Sequence, residues 1–256
     1  MTDRVLDRID RRVLGAIRLV DRATRNIILR PITVKAQTAT LIRNRSSLYV
    51  ITEVDGLDDH SCQFLEQPNS PLPGSVSVEL EVSDPLNRYL PRTVSVTLPR
   101  VADSTDLDNS DSLFQPMDVM LYASSNAKVL NNWSTVRASV TRNDVSVGVV
   151  PVRGCLLRVV RDSDNAVLAS GFSDERGEVL IIVPGVPITQ FADDDGDDSP
   201  VTVSELEIRL EVSHGESAQW PVNPDLLEST HVAGLLQTKL FSLKTGRMEK
   251  TTIELT

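Results

Sequence analysis

The side chains best suited to metal chemistry are a neighbouring histidine and cysteine. His60 and Cys62, separated only by Ser61, form the one pair of these residue types that lies close together in the sequence. A structural zinc ion requires about four ligands, and the other histidines, His214 and His231, lie in the second half of the chain. We therefore interpret the pair as part of a loop or strand edge and expect neither a metal ion nor a cofactor.

An acidic loop over residues 192–200 offers oxygen ligands instead. Asp193, Asp195 and Asp197 surround Gly196 with a spacing that calcium can use. The twelve-residue calcium-binding pattern also requires a terminal Glu, and Glu205 lies too far along the chain to supply it. We expect a solvated hairpin tip here, with calcium binding as the weaker alternative.

No nucleophile or phosphate-binding motif emerges from the sequence. It contains no Gly-x-Ser-x-Gly elbow, no His-Glu-x-x-His pair, no P-loop and no Gly-x-Gly-x-x-Gly turn. Paired carboxylates for glycoside cleavage remain compatible with the sequence, although nothing favours them. We expect a protein that is not an enzyme.

Charge and composition narrow the classes of partner. The formal net charge of −10 argues against a nucleic-acid binder, and the scarcity of aromatic residues argues against a platform for stacking sugars or bases. Residues 1–50 carry eleven basic and four acidic side chains, whereas residues 193–228 carry eleven acids and one base. This asymmetry is either an ordinary solvated surface or a source of attraction between neighbouring copies.

The sequence shows no targeting or membrane signal. Its first residues, MTDRVLDRIDRR, contain no apolar core of a signal peptide, and no stretch approaches the roughly 20 apolar residues of a membrane helix. We expect a cytoplasmic protein without direct membrane insertion. Cys62 and Cys155 are then reduced, and we predict no disulfide.

Alternation of apolar and polar residues predicts an all-β fold. Val76–Val82 places four apolar side chains on one face and three polar ones on the other, and the segments around Val94, Val136 and Leu206 repeat this pattern. The apolar runs Leu156–Val160 and Val179–Val183 predict strands that are covered on both faces.

An internal likeness predicts duplication. Gly15–Leu29 aligns without gaps with Gly154–Leu168, and Leu80–Ser83 matches Leu210–Ser213 later in each half. We therefore predict two tandem antiparallel β-sandwich domains of prealbumin or immunoglobulin type with short terminal arms. Their bounds are an N-terminal arm 1–12, domain 1 at 13–100, an acidic linker 101–117, domain 2 at 118–222 and a C-terminal hairpin or arm 223–256.

Exposed basic and aromatic residues in the arms and loops are the candidate contacts with other subunits. Tryptophan, tyrosine and arginine dominate the binding energy of protein interfaces. Instead of contacting another subunit, the tryptophans could be buried at strand ends. The C-terminal segment could instead form a hairpin that completes domain 2. The candidates are Arg4, Arg8, Arg11, Arg12, Arg88, Tyr89, Arg92, Trp133, Trp220, Lys244 and Arg247.

One segment of the second half carries a family resemblance. Pro151–Pro187 has a Pro-x-x-Gly strand start, a Leu-Ala-x-Gly strand and a Ser-Asp-Glu-x-Gly-Glu turn that precedes an apolar strand. This order resembles the carboxypeptidase regulatory-like, or prealbumin-like, β-sandwich family. In the turn, we expect Asp174 to accept backbone hydrogen bonds and Gly177 to take a positive φ. Domain 1 departs from the pattern, with Arg43–Ser47 where this turn should be. The resemblance implies an accessory module for scaffolding or binding.

A second resemblance concerns large particles. Asp10–Arg18, Asp84–Arg92 and Leu121–Tyr122 are similar to β-rich structural components of phage-tail-like contractile injection systems. This likeness implies a non-catalytic subunit whose partners are other protein subunits, including copies of itself. The alternatives are a soluble adhesion or carbohydrate-binding module and an accessory protein of a separate hydrolase.

Our interpretation of the acidic loop as a solvated hairpin tip predicts that calcium does not stabilise the protein. Addition of millimolar calcium should leave the melting temperature unchanged, because the loop lacks the full ligand pattern. Differential scanning fluorimetry with and without a chelator measures this, and a rise of several degrees would establish a calcium site.

Overall fold

The computed structural model describes residues 12–62, 67–105, 107–186, 205–215, 220–232 and 234–255. Within these ranges, strands dominate, which confirms the all-β prediction. No helix among the described residues is long and apolar enough to cross a membrane.

Two short helices accompany the strands of the described residues. The helices are α1 (Asp58–Cys62) and α2 (Pro224–Ser229). The strands are β1 (Gly15–Asp21), β2 (Thr33–Ala36), β3 (Ala39–Arg43), β4 (Tyr49–Val54), β5 (Val76–Ser83), β6 (Arg92–Leu98), β7 (Met117–Leu121), β8 (Ser134–Asp144), β9 (Gly148–Pro151), β10 (Leu156–Arg161), β11 (Val167–Phe172), β12 (Glu178–Val183), β13 (Glu205–Ser213), β14 (Leu235–Lys244) and β15 (Met248–Leu255).

The chain divides into two compact units that do not follow simple sequence bounds. Unit 1 takes the residues through Leu19, together with Ile27–Val82 and Val94–Val119. Unit 2 takes Val20–Asn26, Ser83–Thr93 and the residues from Met120 onward.

Unit 1 contains two sheets. One sheet has the order β3-β4-β1-β7 and the other the order β2-β5-β6. β5 and β6 bury alternate residues, as their sequence pattern predicts. At Gly15 of β1, a Cβ atom would lie 3.0 Å from the Leu98 side chain of β6, so the two sheets approach closely there.

Unit 2 is a β-sandwich around one large apolar core. Its sheets have the orders β11-β10-β13-β14 and β12-β8-β15, with β9 paired to β8. Each buried aliphatic side chain contributes about 1.5–3 kcal/mol relative to leaving it in water. The core consists of Val136, Ala138, Val140, Val152, Cys155, Leu157, Val159, Val179, Ile181, Val183, Val186, Ile208, Leu210, Val212, Leu243, Ile253 and Leu255.

The turn between β11 and β12 has the predicted geometry. The Asp174 carboxylate accepts hydrogen bonds from the backbone N–H groups of Arg176 and Glu178, each at 2.9 Å. Gly177 has a φ of +73°, and a Cβ atom there would lie 2.4 Å from the Val140 carbonyl oxygen. The turn therefore requires glycine both for its backbone conformation and for the close approach of β8.

The predicted duplication is wrong in register. The hairpin turns after β1 and β10 share a left-handed residue, Arg25 in one and Asn165 in the other. Each of these residues donates its N–H to the carbonyl of the last strand residue, which is Asp21 in the first turn and Arg161 in the second. The sequence alignment instead placed Arg22 opposite Arg161, and a shift of one residue moves every side chain to the other face of a strand.

The second block of the duplication does not match in strand pairing. The alignment equated β5 with β13, but β13 pairs with β10, whereas β5 lies in the other sheet from β1 and pairs with β2 and β6. β1 pairs with β4 instead. The pairing of the strands therefore does not support the second block of the alignment.

The predicted C-terminal hairpin is also wrong. β14 pairs antiparallel with β13, and β15 pairs in parallel with β8, so the two strands belong to different sheets. Leu243 of β14 and Ile253 and Leu255 of β15 enter the core from opposite sheets. The C-terminal segment completes the sandwich of unit 2.

The segment predicted as an acidic linker has backbone bonds of its own. The Val101 N–H donates to the Asp111 carbonyl, and the Leu113 N–H donates to the Val101 carbonyl at 2.7 Å. The Arg100 guanidinium donates to the carbonyls of Ser110 and Ser112. These bonds form a closed loop after β6 within unit 1.

Two glycine substitutions test the turn before β12. Gly177→Ala should destabilise the protein by about 2–4 kcal/mol, because the added methyl group meets a carbonyl oxygen and the backbone is left-handed. Gly148→Ala is the matched control, since Gly148 has a φ of +85° but open space around it. We expect that variant to lose only about 1 kcal/mol in urea unfolding. Equal losses would show that the close approach to β8 has no energetic weight.

Candidate functional site

Several predicted site residues lie outside the described residues. They are Arg4, Arg8, Arg11, Asp193, Asp195 and Asp197.

A cleft of about 320 Å³ in unit 2 brings together two of the predicted interface residues, Tyr89 and Trp220. We call it the aromatic cleft. Its lining consists of Asn87, Tyr89, Leu90, Pro91, Ser124, Ser125, Asn126, Asp174, Glu175, Arg176 and Trp220.

Tyr89 is positioned by an aspartate-centred turn that follows β5. The buried Asp84 carboxylate accepts hydrogen bonds from the N–H groups of Leu86, Arg88 and Tyr89 at 2.8–3.1 Å. The Tyr89 hydroxyl donates to the Asp21 carboxylate at 2.7 Å. The ring is therefore fixed at both its backbone and its polar end, and Arg88 beside it is exposed to solvent.

Trp220 is positioned by a stack of aromatic rings. It meets Phe172 edge to face with ring centroids 6.3 Å apart, and Phe172 meets Tyr122 in the same way at 5.1 Å. Such arrangements contribute about 0.5–1.5 kcal/mol beyond the burial of the rings. Leu90 and Val222 complete this small apolar cluster beside the cleft.

The stack rests on a half-buried carboxylate. Glu228 of α2 accepts hydrogen bonds from Tyr122 at 2.9 Å, Ser170 at 2.8 Å and Arg22 at 2.9 Å. Burial alone would raise the pKa of Glu228, but the charge of Arg22 and these hydrogen bonds outweigh burial and lower it. Burial, with the Glu228 carboxylate close by, raises the pKa of Tyr122.

The polar wall of the aromatic cleft comes from the turn before β12. The Ser125 hydroxyl donates to the Asp174 carboxylate at 2.9 Å, and the Arg176 guanidinium donates to both side chains. The Arg176 side chain is 63% exposed, so most of its donors face solvent. The segment that carries the prealbumin-like resemblance thus supplies one side of the cleft.

The prediction for Arg92 is wrong. Its side chain is fully buried, and its guanidinium donates to the Met120 and Thr93 carbonyls and to the Asp225 carboxylate. A fully buried arginine whose donors are satisfied within the fold cannot meet a partner, and loss of one of its bonds would leave a buried charge unpaired. The alternation of β6 places Arg92 on the same face as the buried Val94 and Val96, and this was the signal that the residue type obscured.

The remaining predicted interface residues are scattered. Trp133 is half-buried in the loop before β8, and Arg12 is half-buried near the start of the described chain. Lys244 forms an ion pair with Glu205 at 2.6 Å. Arg247 is exposed in the turn after β14. The described residues do not join these side chains to the aromatic cleft.

His60 and Cys62 both lie in α1 but face different surroundings. His60 is buried, with its Nε2 atom 3.1 Å from the Pro71 carbonyl oxygen, and Cys62 is exposed. Among the described residues, no group of three or more potential ligands is placed to hold a metal ion.

A serine, a histidine and a glutamate contact one another in unit 2, although no sequence motif had grouped them. Ser213 Oγ lies 2.9 Å from His231 Nδ1, and His231 Nε2 lies 2.9 Å from the Glu211 carboxylate. Ser213 and His231 are 2% and 3% exposed. Because neither side chain reaches solvent, these contacts fix the chain after α2 against β13. Glu211 and Ser213 lie two residues apart and therefore on one face of a strand. This spacing is the sequence signal that could have indicated a shared polar partner.

The aromatic cleft is suited to reversible recognition. It presents two half-buried rings, an exposed guanidinium and exposed amide and carboxylate groups. Tryptophan, tyrosine and arginine are the residue types that dominate the binding energy of protein interfaces.

Acidification tests the carboxylate that supports Trp220. A lowered pKa means that ionised Glu228 adds stability above its ordinary value of 4.5, and this contribution is lost as the pH falls through the folded-state pKa. Glu228→Gln should therefore cost about 1–2 kcal/mol at neutral pH, and the difference from wild type should vanish at acidic pH. Chemical unfolding between pH 7 and pH 3 measures this. Glu254→Gln, at an exposed glutamate, should change stability little, and a pH-independent loss in Glu228→Gln would rule out the charge as the cause.

Comparisons with known proteins return only distant likenesses in fold. No protein-family model and no curated protein matches the chain. GBS52, the minor pilin of the Gram-positive pathogen Streptococcus agalactiae, is similar over 94% of this chain and 95% of that chain, with 9% identity and a TM-score of 0.30. The Bacillus anthracis TIE protein is similar over 94% of this chain but only 34% of its own, with 7% identity and a TM-score of 0.25. At such low TM-scores, neither neighbour carries an inference about what this chain does.

Proposed function

We propose that the protein is a non-catalytic β-sandwich subunit of a larger assembly and that it binds a neighbouring protein subunit through the aromatic cleft. The observation that carries the proposal is the meeting of Tyr89, Trp220 and Arg176 in one concave site. Residues of these three types supply most of the energy of protein interfaces.

Preorganisation of the cleft supports this role. Asp84 and Asp21 fix Tyr89, the Phe172 ring contacts Trp220, and Asp174 holds Arg176. Binding then costs little conformational entropy, because few side chains are ordered in the process. A volume of about 320 Å³ is sufficient for one or two side chains of a partner loop.

An apolar hairpin tip also supports an interacting surface. Val145 and Val147 lie between β8 and β9, Val149 lies in β9, and the three side chains are 105%, 76% and 68% exposed. Exposed apolar side chains clustered on an edge strand are typical of binding surfaces.

Only sequence motifs support a proposal about the kind of assembly. The Asp84–Arg92 motif, which resembles components of phage-tail-like contractile injection particles, contains Tyr89 of the cleft. We therefore propose such a particle as the assembly and other subunits of it as the partners.

Blocking the cleft tests the proposal. Asn126 lies in the cleft lining and is exposed, so Asn126→Arg fills the site without removing a core contact. The tagged full chain should migrate in a large complex in lysate of its source cell, and this variant should shift toward the mass of the free chain, 28.1 kDa. Native mass photometry or gel filtration measures the shift.

Asn132→Arg is the matched control, because Asn132 is exposed and outside the cleft. That variant should remain in the complex. A wild-type chain that migrates alone would contradict the proposal. If that free chain also bound sugars on a glycan array and lost binding with Asn126→Arg, the carbohydrate-binding alternative would replace it.

A further inference from the structure

A second concave surface of unit 2 is lined by residues of the β12-β8-β15 sheet and by Lys239 of β14, and it has a volume of about 530 Å³. We call it the basic groove. It shares no lining residue with the aromatic cleft. Its lining consists of Arg137, Ser139, Glu178, Lys239, Lys250, Thr251 and Thr252.

Strand register brings the charged side chains of the groove together. β8 buries Val136, Ala138 and Val140, so the residues between them point away from the core. The parallel pairing with β15 places Lys250 beside Arg137. Two cations thus lie next to each other on neighbouring strands, and hydroxyl groups line the adjacent positions.

The cations of the groove lack acidic partners among the described residues. Arg137 donates to the Ser125 carbonyl at 2.8 Å, and Lys239 donates to the Thr251 hydroxyl at 2.6 Å. Lys250 is exposed and makes no ion pair within the described ranges. The acid of the groove, Glu178, accepts a hydrogen bond from Ser139 at 2.9 Å. Three cations and one carboxylate give the groove a positive charge in a chain whose net charge is −10.

The strands that carry the two lysines are both at the ends of their sheets. β14 ends the β11-β10-β13-β14 order, and β15 ends the β12-β8-β15 order. An edge strand offers backbone N–H and C=O groups to an extended peptide. The groove therefore combines main-chain pairing with positive charge.

We propose that the basic groove binds an extended acidic segment of a partner protein, whose carboxylates meet Lys250, Lys239 and Arg137. A peptide matches both features, since its backbone pairs with an edge strand and its side chains supply the negative charge. A nucleic acid matches only the charge. The groove lining contains no aromatic ring on which a base could stack. The inference is independent of the aromatic cleft, since it rests on other residues.

The test uses a short synthetic peptide of alternating Glu and Thr, labelled with fluorescein, and the full chain. Fluorescence anisotropy at low salt should show saturable binding, and a Gln–Thr peptide of the same length should bind much more weakly. Lys250→Glu should weaken binding by about fivefold or more, because it replaces an attraction with a repulsion. Lys250→Arg should retain binding.

Lys128→Glu is the matched control for net charge, since Lys128 is exposed and outside the groove. It should leave affinity for the acidic peptide within about twofold of wild type, because screening limits the reach of a distant surface charge. Circular dichroism checks that each variant is folded. Absence of saturable binding to the wild type, or equal weakening by Lys128→Glu, would overturn the proposal. Tighter binding of single-stranded RNA, lost in Lys250→Glu, would overturn the assignment to a protein segment.

Discussion

Burial of alternate side chains along β8 is the constraint on which unit 2 depends. β8 pairs with β12 on one side and with β15 on the other, and its inward valines lie in the centre of the core. The same alternation sends Arg137 and Ser139 outward, so the basic groove is a direct consequence of how the core is filled. The core of unit 2 and the basic groove therefore both follow from the alternation of side chains between the two faces of β8.

Polar side-chain contacts hold α2 and the residues that follow it against the sandwich of unit 2. Glu228 joins α2 to Tyr122, Ser170 and Arg22, and His231 joins the chain after α2 to Glu211 and Ser213. Each group is largely removed from water and has partners for its charge or hydrogen bonds, which is the condition under which buried polar groups are tolerated. These bonds also support the aromatic stack that places Trp220 in the cleft.

Local patterns predicted local structure well. The alternating segments became strands, and the Asp174–Gly177 turn has the expected bonds. Features that depend on pairing between distant segments could not be predicted from the sequence. Strand alternation is equally consistent with a hairpin of β14 and β15 and with their separation into two sheets, because both place Leu243 and Ile253 inside. The acidic partner of Arg92 was beyond the sequence for the same reason, since Asp225 lies far along the chain. Tyr89 and Trp220 were named from residue type alone, and only the fold brings them to one cleft.

The parallel pairing of β8 with β15 has a consequence for synthesis on the ribosome. Thr135 of β8 pairs with Met248, so the strand is made more than a hundred residues before its partner. At about 5–20 residues per second, translation leaves that edge of β8 open for roughly five to twenty seconds. During this interval, one edge of β8 has no partner strand, and an unpaired strand edge on an incompletely folded chain is a site of aggregation.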